Sequence, residues 1–169
     1  MELHSCYFFT VTINGFRHLL TGDHFKKIVI SSLQFLVNNK SVSIYGFVIM
    51  PNHIHLLWMM NKLRGNEMPS ASFTKFTAHQ FKNHLFHSGN LEIYQSCKQD
   101  RKYQFWKRDP LAILISTEKI FWSKLDYIHN NPTKEKWGLC SIPEDYRWSS
   151  AKFYRDGFDE FSIVTHYKD

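Results

Sequence analysis

Two histidines separated by one residue are the first side chains in this sequence whose spacing could support chemistry. His53 and His55 lie in the apolar stretch HIHLLWMM, which is typical of a β-strand. Because alternate residues of a strand point to the same face, the two imidazoles project together. Two neutral imidazoles at that spacing can supply half of the ligands of a divalent metal. Two partly buried histidines bonded to backbone carbonyls would have the same pattern, so the spacing alone leaves both interpretations open.

A tyrosine and an asparagine four residues apart form the second candidate pair. Tyr127 and Asn131 fall near the end of a helix predicted over TEKIFWSKLDYIHNN, so they share one face, with Cβ atoms roughly 5–6 Å apart. A phenol with its usual pKa of ~10 is a poor nucleophile unless a base or a metal-polarised phosphate is close. The amide of Asn131 could offer an oxygen to the same cation. A core tyrosine followed by a helix-capping asparagine would have the same spacing.

The first half of the chain contains the elements that would position the histidines. Residues 7–13 (YFFTVTI) predict a strand, and a helix is predicted after Thr21 and Asp23, which can cap it. The runs SVSIYGFVIM and HIHLLWMM, separated by Pro51 and Asn52, predict an antiparallel hairpin.

The second half is predicted to contain two helices with a less regular stretch between them. A helix is expected over 70–86, short strands or buried connections between 91 and 115, and then the tyrosine helix, which Pro132 stops. The order of elements predicts a single α+β domain over 1–169, an antiparallel sheet with helices on one face. Residues 143–169 are expected to form a C-terminal extension that packs on it.

Composition and charge narrow the classes of partner. The 169-residue chain is 43% hydrophobic and 17% aromatic, which excludes a disordered chain. A formal net charge of +6 and a pI of about 9.2 favour a polyanionic partner, because Lys and Arg that neutralise phosphates release counterions. Many basic globular proteins bind no nucleic acid, so charge alone does not decide between these classes.

Cysteine usage and hydropathy bear on the compartment. Cys6, Cys97 and Cys140 are odd in number and far apart, which fits neither a disulfide framework nor a Cys-based zinc site. No apolar run approaches the ~20 residues of a membrane span, and MELHSCYFFTVTI lacks the basic start of a secretory signal. We therefore expect reduced thiols, a cytoplasmic protein and no membrane partner.

Basic and aromatic residues are interleaved in the middle of the chain, where Tyr103, Phe105 and Trp106 lie between basic side chains such as Lys98. Basic residues that follow a phosphate backbone beside rings that stack on bases are the ingredients of single-strand binding. Phe105 and Trp106 would fit a core equally well. The residues predicted to contact nucleic acid are Arg101, Lys102, Lys107, Arg108 and, nearer the C-terminus, Arg147.

Five segments together resemble the HUH single-tyrosine transposases, and most closely their REP-associated branch. The segments are YGFVIMPNHIHLLW (45–58), FTKFTAHQF (73–81), YQFWKRD (103–109), KLDYIHNNP (124–132) and PEDYRWSSAKFY (143–154). They occur in the family's order and cover most of the chain from residue 45 onward. Met-Pro-Asn-His-x-His-Leu-Leu, followed some seventy residues later by Tyr-Ile-His-x-Asn-Pro, is a specific combination.

The resemblance implies a ferredoxin-like (RRM-like) antiparallel sheet of the HUH endonuclease type, with His53 and His55 on a central strand. It implies that these histidines and the polar residue four after the tyrosine, here Asn131, bind Mg²⁺ or Mn²⁺. Tyr127 would attack a phosphodiester of single-stranded DNA and keep the 5′ end as a phosphotyrosine. The implied partner is single-stranded or hairpin DNA, bound by a monomer or homodimer associated with the bacterial nucleoid.

The sequence departs from the family in two places. Mobile relatives often carry Gln where this chain has Asn131, and Asn is one methylene shorter, so direct ligation and a bridging water both remain open. The family's usual Asn-Pro-Val-Arg/Lys-Ala-Gly segment reads NPTKEKWG, with Lys136 in place of the small alanine and Trp137 inserted. This change affects the local turn and leaves the nucleophile in place.

Two rival classes remain. A DNA-binding protein or repressor of the same fold that has lost catalysis would keep the basic surface, although the complete set of His53, His55 and Tyr127 argues against such a loss. An RNA-binding ferredoxin-like domain would be expected to carry aromatic residues, not a histidine pair, on its exposed sheet face.

Overall fold

A computed structural model of the chain describes residues 1–96, 99 and 101–169, so Cys97 and Lys98 lie outside the described residues. Its centre is a four-stranded antiparallel sheet in the order β2-β3-β1-β4. The strands are β1 (Cys6–Thr12), β2 (Val42–Ile49), β3 (His53–Met60) and β4 (Leu111–Leu114). The predicted antiparallel α+β sheet is confirmed, and the two histidines lie on a central strand.

Four α-helices accompany the sheet: α1 (Asp23–Asn38), α2 (Pro69–Ser88), α3 (Glu118–His129) and α4 (Ala151–Asp156). The Thr117 hydroxyl caps α3 by accepting a hydrogen bond from the Ile120 backbone N–H. Gly89 ends α2 in a left-handed conformation, which glycine adopts without steric cost. No helix in the described part of the chain is long and apolar enough to cross a membrane.

The helices lie on both faces of the sheet, so the expectation of helices on one face is wrong. On one face, Val11 of β1 lines a cavity with Thr74 and Ala78 of α2, and α1 packs against α2. On the other face, Phe8 of β1 makes an edge-on contact with Tyr127 of α3. Both faces of β3 are largely buried. Because apolar side chains project from each face of the strand, the hydrophobic effect favours helices packed on both sides of the sheet.

The C-terminal residues 143–169 return to the edge strand β2. The Tyr146 hydroxyl donates to the Ile49 carbonyl at 2.7 Å, and the Tyr154 hydroxyl donates to the Tyr45 carbonyl at 2.6 Å. These bonds satisfy carbonyls on the outer edge of β2 that no further strand reaches. The extension therefore covers the edge beside which α3 packs.

A glycine permits the close approach of α3 to the sheet. Gly46 follows an irregularity in β2 and pairs with Leu57 of β3. A Cβ at position 46 would lie 2.5 Å from Cδ1 of Leu125, a buried residue of α3. The tyrosine helix can therefore lie this close to β2 only because position 46 has no side chain.

We expect Gly46→Ala to lower the free energy of unfolding by about 1–3 kcal/mol, because the added methyl overpacks the contact with Leu125. Urea denaturation would measure the change. In a Leu125→Ala background the same substitution should cost much less, since the opposing methyl is gone. An equal cost in both backgrounds would show that this contact does not set the approach of α3.

Candidate metal centre and tyrosine site

The two histidine rings lie side by side, in edge-on contact, on the side of β3 that α3 covers. Their centroids are 4.6 Å apart with an interplanar angle of 72°. His55 is only 5% exposed, and its ring stacks on Phe8 of the neighbouring strand β1. The structure thus places both predicted ligands on one face, close enough to share one ion.

The Nδ1 atom of each histidine ring is engaged in a hydrogen bond. Nδ1 of His53 donates to Oδ1 of Asn52 at 2.7 Å, and Nδ1 of His55 lies 2.7 Å from the Thr10 hydroxyl. The bond to the Asn52 oxygen requires the proton of His53 to be on Nδ1 and leaves the lone pair on Nε2, the form that ligates metals. The Thr10 hydroxyl can donate or accept, so it orients the His55 ring and is compatible with the same tautomer. Within the described part of the chain, the buried Nε2 of His55 has no hydrogen-bond partner. A buried ring nitrogen without a hydrogen-bond partner is suited to ligate a cation.

Asn131 lies immediately beside His53. It is 1% exposed, and its Nδ2 is 3.3 Å from Nε2 of His53. A half-turn of the amide would present Oδ1 to the same space, so the side chain can offer either an oxygen ligand or a hydrogen bond. The third predicted ligand therefore reaches the histidine pair from the turn that follows α3.

Tyr127 reaches the same place from the last turn of α3. Its ring centroid is 5.4 Å from that of His55 and 6.0 Å from that of Phe8. The side chain is 43% exposed, whereas Leu125 and Ile128, which dock the helix, are buried. The phenol is thus held against the histidines while remaining open to a large substrate.

Three lysines, which sequence reasoning did not assign to the site, surround it. Nζ of Lys134 lies 4.0 Å from the centroid of the Tyr127 ring, and Nζ of Lys124 lies 4.9 Å from that of Phe8. Lys136 lies over Trp137, whose ring is 5.6 Å from His53. The sequence feature that could have pointed to Lys134 and Lys136 is their place in the NPTKEKWG segment, which departs from the family pattern.

Burial and these charges keep the histidines neutral. Burial, with the positive charges of Lys136 and Lys134, lowers the pKa of His53 to about 4. Burial, with the neighbouring His53 and the lysines, lowers the pKa of His55 to about 2. Among the described residues, no carboxylate or thiol joins the pair in a cluster of three ligands. The protein ligands available to a cation here are therefore two neutral imidazoles and an amide.

His129, also on α3, has a different role from the histidine pair. Its Nε2 lies 2.9 Å from the Ser150 hydroxyl, and the same hydroxyl accepts the backbone N–H of Phe47 at 2.9 Å. Burial lowers the pKa of His129 to about 4, so the ring is neutral at pH 7. This buried network joins α3, β2 and the C-terminal extension.

Four of the predicted DNA-contacting residues are exposed and lie on the segment that runs beside α2: Arg101, Lys102, Lys107 and Arg108. Phe105 and Trp106, between them in sequence, are buried against Phe81 of α2. These two aromatics therefore belong to the core, which decides between the two roles left open by the sequence. The DNA contacts of the four basic residues stay predictions.

Arg147 lies apart from that segment. Its guanidinium pairs with the carboxylate of Glu160, with Nε at 2.9 Å from one oxygen. The adjacent Trp148 is buried and stacks on Phe161, so packing is its role. A DNA contact by Arg147 would have to compete with this ion pair and stays a prediction.

We expect Ser150→Ala to lower the free energy of unfolding by about 1–3 kcal/mol, because it leaves the His129 ring and the Phe47 N–H buried without their partner. Denaturation would measure the loss, and amide exchange should quicken in α3 before it quickens in α2. Ser88→Ala, at the C-terminal end of α2, is the matched control and should cost under about 0.5 kcal/mol. Similar costs for the two variants would contradict the proposed role of the network.

No protein-family model and no curated protein sequence matches the chain. Among solved structures, a REP-associated tyrosine transposase bound to a REP hairpin has a TM-score of 0.64 and 19% identity, covering 99% of this chain and 90% of that one. A proposed transposase of Deinococcus radiodurans R1 has a TM-score of 0.45 and 15% identity, covering 76% of this chain and 92% of that one. The chain has the fold of the REP-associated tyrosine transposase, as its sequence motifs predicted.

Proposed function

We propose that the chain is a metal-dependent single-strand DNA transposase or nickase that cleaves and rejoins DNA through a 5′-phosphotyrosine on Tyr127. The observation that carries this proposal is the convergence of Tyr127 with His53 and His55, the rings of Tyr127 and His55 being 5.4 Å apart. The structural neighbour is bound to a REP hairpin. Hairpin-containing DNA is therefore the proposed substrate.

The Nε2 atoms of His53 and His55, with the amide of Asn131 directly or through water, would hold Mg²⁺ or Mn²⁺. A divalent ion bound there would draw charge from a non-bridging phosphate oxygen and support the leaving 3′-oxygen. Both rings are neutral at pH 7 and need lose no proton to act as ligands. Two imidazoles suit Mn²⁺ as well as Mg²⁺.

Tyr127 would supply the nucleophile. Its oxygen forms a bond to phosphorus while the bond from phosphorus to the 3′-oxygen breaks, and the proton lost by the phenol is balanced by one taken up at the 3′-oxygen. One phosphodiester replaces another, so the step needs no nucleotide cofactor and can run backwards. The exposure of the ring leaves room for a DNA backbone.

Lys134 and Lys124 would hold the phosphate. Their Nζ atoms lie over the rings of Tyr127 and Phe8, on the side of the sheet that carries the histidines. Because the available ligands carry no negative charge, the anionic phosphate compensates for both the lysines and the cation. Substrate and metal would therefore bind better together than either does alone.

We expect Tyr127→Phe to abolish a covalent adduct with DNA while leaving DNA affinity nearly unchanged, because only the phenolic oxygen is removed. We expect His53→Ala to keep the nucleophile but slow adduct formation at least about 100-fold, since one metal ligand is lost. A denaturing gel of labelled single-stranded hairpin DNA with Mg²⁺ or Mn²⁺ would measure both. The DNA should come from genomic sequence flanking the gene.

Two outcomes would contradict the proposal. An adduct that persists in Tyr127→Phe would show that another residue attacks. DNA binding without any metal-dependent adduct in the unmodified protein would favour the rival, a catalytically silent DNA-binding protein of the same fold.

We expect Thr10→Val to weaken Mn²⁺ binding about 10- to 100-fold, because the His55 ring loses the hydroxyl that orients it. Valine has nearly the shape of threonine, so the strand should be preserved. Titration of Mn²⁺ followed by electron paramagnetic resonance would measure the affinity without any cleavage reaction. Thr74→Val, on α2 across the sheet, is the control, and an equal loss in both variants would argue against orientation by Thr10.

A further inference from the structure

A strained turn after β1 presents an aromatic ring to solvent. Gly15 and Phe16 both have left-handed backbone conformations, with φ of 66° and 55°. For a bulky residue such as Phe16 this conformation is rare and unfavourable, and such outliers concentrate at functional sites. The Phe16 side chain is 61% exposed, so burial of the ring does not compensate for the strain.

The turn is fixed to the histidine site. Nδ2 of Asn52 donates to the Phe16 carbonyl at 3.1 Å, and Oδ1 of the same Asn52 accepts from Nδ1 of His53 at 2.7 Å. The Phe16 N–H also donates to the Ile13 carbonyl at 2.9 Å. One buried amide therefore holds both the metal-ligand candidate and the backbone that carries the exposed ring.

A positively charged side chain lies beside the Phe16 ring. Nζ of Lys107 lies 5.3 Å from the Phe16 centroid, and the Lys107 backbone N–H donates to Thr12 at the end of β1. Lys107 also lines an open cavity of about 480 Å³, in which Arg17, Arg108 and amide side chains outnumber one carboxylate, that of Asp109. An exposed ring next to cationic side chains and amides is the combination that binds a base and its flanking phosphates.

We propose that Phe16 is a stacking platform for one unpaired base of the DNA strand, with Lys107 and Arg17 contacting the phosphates on either side. This inference rests on the proposed function in taking single-stranded DNA as the substrate. It adds a base-binding position outside the catalytic residues. Since every base has a flat π-face, the platform tolerates different bases and selects for an unpaired strand.

The test measures affinity for a labelled single-stranded oligonucleotide by fluorescence anisotropy, in the Tyr127→Phe protein so that no cleavage occurs. Phe16→Ala and Phe16→Leu should each weaken binding about 5- to 100-fold, the loss expected for one stacked base. Phe16→Tyr should bind as the parent does. Phe86→Ala, which removes a 70% exposed ring at the end of α2, is the matched control and should leave affinity unchanged.

Two further arms identify stacking as the cause. A fully paired duplex of the same sequence should bind Phe16→Ala as well as it binds the parent, because its bases are already stacked inside the helix. In an oligonucleotide scanned with single abasic sites, one position should weaken the parent as much as Phe16→Ala does, with no further loss when both changes are combined.

The platform would be refuted if Phe16→Leu bound like the parent, since leucine keeps apolar bulk without a π-face. Equal losses with duplex and single strand, or additive losses at every abasic position, would also refute it. These outcomes are independent of catalysis. If no adduct forms but the Phe16 variants lose affinity as expected, the platform stands and only the proposed transesterification fails.

Discussion

The hydrogen bonds to Nδ1 of His53 and His55 are the interactions on which the site depends. The bond to His55 requires β1 and β3 to pair in one register, in which Thr10 lies opposite His55. A slip of one residue would turn both rings to the face covered by α1 and α2. Long apolar runs in both strands, buried on both sides, hold the register. The hydrophobic packing of the sheet thus determines which ring nitrogens face α3.

The electrostatics of the site are unusual for a cation centre. Buried neutral imidazoles and an amide offer lone pairs without charge, and Lys134 and Lys136 lower the affinity for any proton or cation nearby. In isolation such a pocket favours anions. Under the proposed function, a phosphodiester placed between the lysines and the histidines would reverse that balance, so the proposed cation would bind together with DNA better than alone.

Much of the structure could be predicted from local sequence patterns. Strand alternation was enough to place His53 and His55 on one face, and helical spacing was enough to place Tyr127 and Asn131 on the same side of the tyrosine helix. Contacts that depend on three-dimensional pairing could not be predicted: Thr10 meets His55 across 45 positions of sequence. Strain at Phe16 is likewise a backbone property that residue type does not encode. The close approach of α3 to β2 depends on Gly46, whose role appears only when the helix is docked.

The docking of α3 also bears on how many chains one reaction needs. Leu125 fits against the backbone of Gly46, and His129 is bonded to Ser150 of the same chain. Trading this helix with a second copy would first have to open both contacts and expose a buried imidazole. Within one chain, the tyrosine of this helix therefore lies beside histidines of the same polypeptide. The candidate nucleophile and the candidate ligands are thus all contributed by a single chain.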